Sequence, residues 1–173
     1  TGDSKAGSVN MNSTSLGGYW TYQKDNGVYF DTQIQTSILT NIDACSSTNE
    51  HLHTHGWSGD FSLEAGYKNN LSSKFFLEPQ LQTIFQHTEI SEELSKNANL
   101  KVSYETANII YNRLGVRIGA YVDDKSDTVF YSRLNYWNTM NGHSNAIYTN
   151  ANGNKKTQTK LGSELGGDWY QAG

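Results

Sequence analysis

The sequence predicts an all-β chain: an antiparallel up-and-down transmembrane β-barrel fragment of seven long strands, with short turns at one end and long loops at the other. Three observations carry this expectation. Apolar and polar residues alternate with period two almost throughout, which is the repeat of a strand exposing two different faces. The connections alternate strictly between short and long. The alternating runs also exceed the ~5–6 residues of an ordinary globular strand.

The elements follow in order. In Thr14–Lys24, Leu16, Gly18, Trp20 and Tyr22 share one side. Asp25-Asn26-Gly27 supplies a tight turn, because Asn and Gly tolerate positive φ. Val28–Leu39 sets Val28, Phe30, Ile34 and Ile38 against Asp31, Gln33, Gln35 and Ser37. Gly56–Lys68 places Trp57, Phe61, Leu63, Ala65 and Tyr67 opposite Ser58, Asp60, Ser62 and Glu64. Phe75–His87 sets Phe75, Leu77, Leu81 and Phe85 against Glu78, Gln80, Gln82 and Gln86. Thr106–Tyr121 carries Leu114, Val116, Ile118 and Ala120 opposite Arg113 and Arg117. Val129–Trp137 puts Phe130, Leu134 and Tyr136 against Arg133 and Asn135. Thr157–Trp169 is expected as the last strand, with Leu161, Leu165 and Trp169 opposite Lys160, Glu164 and Asp168.

The turns at Asp25–Gly27, Asn69–Lys74 and Val122–Thr128 are short, whereas those at Thr40–His55, Thr88–Glu105 and Asn138–Lys156 are long and polar. Strict alternation gathers the long loops at one end, as in outer-membrane barrels. About eleven residues tilted at roughly 40° cross a bilayer, which these runs satisfy. Aromatic residues near strand ends, among them Trp20, Tyr22, Phe75, Phe76, Tyr136 and Trp137, read as girdles at headgroup level. A general preference of aromatics for strands accounts for their number but not their placement. The polar set Asp31, Glu64, Glu78, Gln80, Arg113, Arg117, Arg133 and Glu164 is expected to line a wet lumen. The set Trp20, Tyr22, Phe30, Trp57, Phe61, Leu81, Leu114, Val116, Tyr136 and Trp169 is expected to face lipid or form the girdle. Alternation alone leaves open that the polar face is instead the outside of a soluble β-sandwich.

Composition agrees with a barrel. Of 173 residues only 35% are hydrophobic, with one proline, yet eleven tyrosines, four tryptophans and 16 glycines are present. The mean hydropathy of −0.67 suits a barrel, because only every second strand residue need be apolar. A net charge of −4 and no basic run argue against nucleic acid. No run approaches the ~18–20 apolar residues of a helical span. Thr1–Asn12 is polar and lacks the pattern of a signal peptide, so the expectation is a processed chain or a fragment. The single Cys45 has no internal partner for a disulfide, and Asn12-Ser13-Thr14 fits a glycosylation pattern that a bacterial origin would make meaningless.

Catalytic signatures are missing: no G-x-S-x-G, no P-loop, no H-E-x-x-H and no cysteine pair. No enzyme activity and no cofactor are expected. His51, His53 and His55 would project to one side of an extended strand, with Asp43 and Glu50 nearby, and three imidazoles so placed would suit a divalent metal. The plainer reading is a polar external loop with no metal.

Several segments resemble the C-terminal translocator domain of autotransporters, the pertactin and AIDA-type family. They are Gly17–Asp31 (GGYWTYQKDNGVYFD), Gly56–Lys68 (GWSGDFSLEAGYK), Phe75–Gln82 (FFLEPQLQ), Arg113–Gly119 (RLGVRIG), Phe130–Trp137 (FYSRLNYW) and Thr159–Gly166 (TKLGSELG). The most specific residues are Glu64, Gly66, Tyr67, Glu78, Pro79 and Gln80. Order and spacing match over roughly residues 15–167. The resemblance implies a Gram-negative outer-membrane barrel of about twelve strands, with this chain supplying about strands four to ten. It further implies a type V secretion pore that anchors and exports a passenger, a linker helix within the pore, and assembly by the barrel-assembly machinery. The family's closing strand, with its terminal aromatic, has no counterpart here. Asp31, Glu64 and Arg113 would be the lumenal candidates for cleavage of a linker, but no linker segment is present. The alternatives are a soluble β-sandwich or lectin-like binding module, and a truncated, non-functional barrel remnant.

Overall fold

A computed structural model of the chain describes residues 8–45, 51–94, 100–122, 128–150, 157–164 and 166–173. Among the described residues twelve strands run in chain order: β1 Ser8–Gln23, β2 Val28–Cys45, β3 His51–Tyr67, β4 Asn69–Asn70, β5 Phe75–Ile90 and β6 Glu93–Leu94, then β7 Leu100–Tyr104, β8 Ala107–Tyr121, β9 Val129–Met140, β10 His143–Asn150, β11 Thr157–Glu164 and β12 Gly167–Ala172. The principal sheet follows the order β1-β2-β3-β5-β8-β9-β12, every neighbour antiparallel, with the short β4 paired to β5. This is the expected up-and-down path. It is not closed: seven strands of alternating direction leave β1 and β12 parallel, so they cannot pair antiparallel.

The short turns share one rim. In the first, Gly27 N–H donates to the Lys24 carbonyl and Gly27 has φ 90°, a conformation open to glycine without strain. Lys68 N–H then donates to the Gly27 carbonyl, and Tyr121 N–H to the Lys74 carbonyl, tying neighbouring hairpins together there. Of the third turn, residues 123–127 lie outside the described part.

The opposite end corrects the expectation of long irregular loops. The β2–β3 hairpin continues past Leu39 and Gly56 as far as Cys45 and His51, across a register shift between Leu39 and Ile42. Asn41, with φ 50°, sits in that bulge. The other two connections contribute β6, β7 and β10, which with β11, from the segment expected as the last strand, form a second antiparallel sheet, β11-β10-β7-β6. Its residues Val102, Tyr104, Ala146 and Tyr148 form one side by register, and Val102 is buried, so polar composition coexists with a small apolar layer.

The last strand is also corrected. Residues 157–164 do not run on into Trp169: β11 pairs with β10, and only β12 joins β9. Gly166-Gly167, with Gly167 at φ 150°, separates them. Leu165 lies outside the described residues.

The second sheet carries a pH dependence. Glu105 accepts from Lys160 Nζ at 2.9 Å and from Asn145 Nδ2 at 2.5 Å, bonds that hold its carboxyl below the usual carboxylate range. Glu92 is held down in the same way by Lys101, at 2.5 Å. Because both folded values are depressed, the stabilisation is complete above the ordinary carboxylate range and is lost as pH falls through the folded values. Hydrogen exchange at β7, β10 and β11, corrected for intrinsic rates, is therefore expected to accelerate between pH 7 and pH ~3, with the principal sheet little changed. Equal protection at both pH values would contradict this.

Candidate functional site

Strand register sorts the side chains of the principal sheet into two faces. Asp31, Glu64, Gln82, Arg113 and Trp137 form one row of cross-strand partners; Glu78, Arg117 and Arg133 form another; Tyr29, Gly66, Gln80, Gly115 and Asn135 form a third. These rows share the polar face, since they differ by two residues along each strand.

Their heads are joined into one network. Arg113 Nη2 donates to Glu64 Oε2 at 2.7 Å, and Arg117 Nη2 to Glu78 Oε2 at 2.5 Å. Tyr29 bridges the two pairs, its hydroxyl 2.9 Å from Glu64 and 3.0 Å from Glu78. Gln80 Nε2 reaches both Tyr29 and Glu78. Glu64 and Arg113 lie on β3 and β8, with β5 between them, so these side chains lean across an intervening strand. The side chain of Glu78 is 1% exposed. Burying a carboxylate at that depth requires its charge to be matched, and here Arg117, Gln80 and Tyr29 together do so.

Aromatic rings extend the network at both ends. Phe76 is fully buried on the polar face, with Lys68 Nζ 4.4 Å and Arg117 Cζ 5.8 Å from its centroid. Glycines make the room. A Cβ on Gly119 would enter the Phe76 ring and one on Gly66 the Tyr29 ring, so each ring lies flat over the facing strand. Farther along, Arg113 Cζ sits 5.6 Å from the Trp137 ring, which stacks on Trp169 at 5.6 Å and 6°. Asn135 and Trp137 both donate to Gln171 Oε1.

Of the polar set, Asp31, Glu64, Glu78, Gln80, Arg113, Arg117 and Arg133 share this face. Glu164 does not: it pairs with His143 in the second sheet, away from these rows. The apolar set divides similarly. Trp20, Tyr22, Phe30, Trp57, Phe61, Leu81, Leu114, Val116 and Tyr136 share the opposite face. Trp169 does not, because the break before Gly167 resets the alternation and pairs it with Trp137 on the polar side; Tyr170 takes the outward position beside Tyr136. Phe76 and Trp137 likewise turn to the polar face rather than a girdle. Tyr29 lies outside the expected polar set, Phe76 was expected in a girdle, and Asn135 was expected on the polar face without a role. A signal for the first two existed, since Gly66 and Gly119 are small residues inside strands, a mark of close approach.

The apolar face is bare. Leu16 is 78% and Leu114 62% exposed, and the buried apolar side chains among the described residues are Ile42, Phe76, Val102 and Ile109. Among the described residues no second layer covers this face, and a soluble sandwich would need a packed core there.

His53 Nδ1 is 2.7 Å from Asp43 Oδ1, His55 is exposed, and the side chains of His51 and Glu50 lie outside the described residues. Among the described residues no group of three potential ligands occurs.

Comparison with known proteins places this geometry. The autotransporter β-domain family model matches residues 1–173. Pertactin autotransporters of Bordetella bronchiseptica and Bordetella parapertussis are each 30% identical over 130 residues, 71% of this chain. The chain spans 13% of the length of these relatives. The crystal structure of the β domain of the Bordetella autotransporter BrkA superposes with a TM-score of 0.64 at 20% identity, covering 94% of this chain and 71% of that one. With a family match from end to end, and the same antiparallel fold in a solved β domain, this chain belongs to the autotransporter β-domain family.

Proposed function

We propose that the chain forms part of the membrane-spanning wall of a type V translocator in the Gram-negative outer membrane, anchoring a passenger and exporting it through the pore. The carrying observation is the contrast between the two faces. A polar side knitted by Glu64–Arg113 and Glu78–Arg117 backs an apolar side left uncovered. Bilayer lipid is the partner that suits the second, at ~25 cal/mol per Å² of apolar area removed from water. The first would keep a lumen hydrated while a linker segment of the same polypeptide passes. The role is structural and translocational, without covalent chemistry. The edges β1 and β12 would pair with further strands, since unpaired backbone groups in lipid cost several kcal/mol each, and the barrel-assembly machinery would insert the closed form.

The test is insertion. Outer membranes from cells secreting the protein are washed with urea, and boiled and unboiled samples are compared by gel mobility. A urea-resistant, heat-shifted band is expected. A soluble, folded monomer would sink the proposal.

A further inference from the structure

The apolar face is not smooth. Across the strands Leu16, Thr36, Gly59, His87 and Asn108 form one continuous row of cross-strand partners from β1 to β8. Two of its members are small, and the space over them is open: a Cβ on Gly59 would meet only the edge of Trp57. Gly18, one row below, would meet nothing within 4 Å. Ile34, Phe61 and Phe85 wall one side, and Trp57 stands on the other. The result is a groove of about 850 Å³ in a surface otherwise studded with large side chains.

The groove has a direction. Counted from the short-turn rim, Thr36 lies eight residues along β2, whereas Asn108 lies thirteen along β8. Four strand spacings of ~4.8 Å make the row about 19 Å long. With strands tilted as in a barrel, it rises from the middle of the apolar band at Leu16 toward the long-loop end. Its character changes on the way. The β1–β3 part is apolar, while at the upper end His87 Nδ1 meets Asn108 Oδ1 at 2.7 Å and Trp57 Nε1 donates to Glu89 Oε2 at 3.0 Å. Asn108 is exposed there, so its amide can donate at the level of an ester or phosphate headgroup.

We propose that this groove seats an acyl chain of a lipid in the external leaflet, headgroup beside His87 and Asn108 and tail toward Gly18. The long-loop end of an outer-membrane barrel is the external one, where the lipid is lipopolysaccharide, so that is the occupant. The groove is continuous with the bilayer-facing surface. It differs from the rest of that surface in having a floor of small residues, Gly18, Thr36 and Gly59, so a chain lying in it gains contact on three sides rather than one. This inference rests on the translocator reading above.

The experiment uses the complete outer-membrane protein, extracted in mild detergent and examined by native mass spectrometry for retained lipid. Gly18→Leu fills the groove where there is open space, and Thr36→Leu with Gly59→Leu fills its floor. Ala120→Leu, on the same face but outside the groove, is the control. Wild type and control are expected to retain one lipopolysaccharide molecule, with retention lowered on the order of tenfold in both filled variants and the heat-shifted band intact in all. Equal retention in all four proteins overturns the groove as a site, and retention of phospholipid instead overturns its assignment. Loss of the heat-shifted band in wild type would refute the translocator reading itself, and the inference with it.

Discussion

Replacing Leu114 by arginine is expected to destabilise the inserted protein by about 2–4 kcal/mol, the cost of a guanidinium at the bilayer midplane. Leu114 lies at the centre of β8, between Leu81 and Tyr136 on the apolar face, and is 62% exposed. Those facts make the outcome diagnostic. In water, an exposed leucine replaced by a long charged side chain changes stability by no more than about 0.5 kcal/mol. In lipid the same position has no solvent for the charge, and Arg must snorkel or thin the bilayer. Urea titration of the protein folded into vesicles measures the difference. A change within ~0.5 kcal/mol would mean that the face carrying Leu16, Leu81 and Leu114 does not contact hydrocarbon.

The second large effect lies on the opposite face. Arg117→Met is expected to cost about 3–5 kcal/mol, because it strands the Glu78 carboxylate in the interior without its cation. Glu78→Gln is expected to cost less, about 1–2 kcal/mol. The asymmetry follows from burial. The side chain of Glu78 is 1% exposed, and that of Arg117 is 34% exposed, so a stranded arginine finds water while a stranded glutamate does not. The glutamine also keeps an oxygen for Arg117, and Gln80 and Tyr29 stay within reach. The double variant is expected to lose less than the sum of the singles, the mark of direct coupling. Vesicle denaturation midpoints for the three variants decide it. If Glu78→Gln proves the more damaging, the carboxylate's hydrogen bonds to Tyr29 and Gln80 outweigh its pairing with Arg117.

Both predictions depend on which side chains share a face, and this much was legible in the chain itself. A strand repeats every two residues, so Phe30, Phe61, Leu81 and Leu114 must lie opposite Asp31, Glu64, Gln82 and Arg113 if the runs are strands at all. The Asn26-Gly27 turn and the alternation of short and long connections then order the strands without reference to any distant contact. Antiparallel neighbours along the chain need only local pairing, which is why seven strands in sequence order could be anticipated.

Where the expectation failed, the alternation continued through a point at which the chain did not. From Leu161 to Trp169 the pattern reads as one strand, yet Gly166-Gly167 breaks it and the two halves join different sheets. Trp169 therefore turns to the polar face and Glu164 leaves it. Nothing local distinguishes a glycine pair inside a strand from one between strands; the decision belongs to β9 and β10, which compete for the segment. The long loops teach the same point. Their polar composition concealed β6, β7 and β10, which come from two separate connections and join β11 in one sheet.

The sequence by itself determined the first six strands of the principal sheet, their order, and which residues oppose which across each of them, because these follow from a two-residue period and from turn chemistry. Only the tertiary structure decided which partners meet: Glu64 with Arg113 across the intervening β5, Glu78 with Arg117 on neighbouring strands, Tyr29 over Gly66, Phe76 over Gly119. Those contacts depend on the stagger between neighbouring strands. A shift of one residue between β5 and β8 would leave each strand's own alternation untouched while turning Arg113, Arg117 and Gly119 away from Glu64, Glu78 and Phe76.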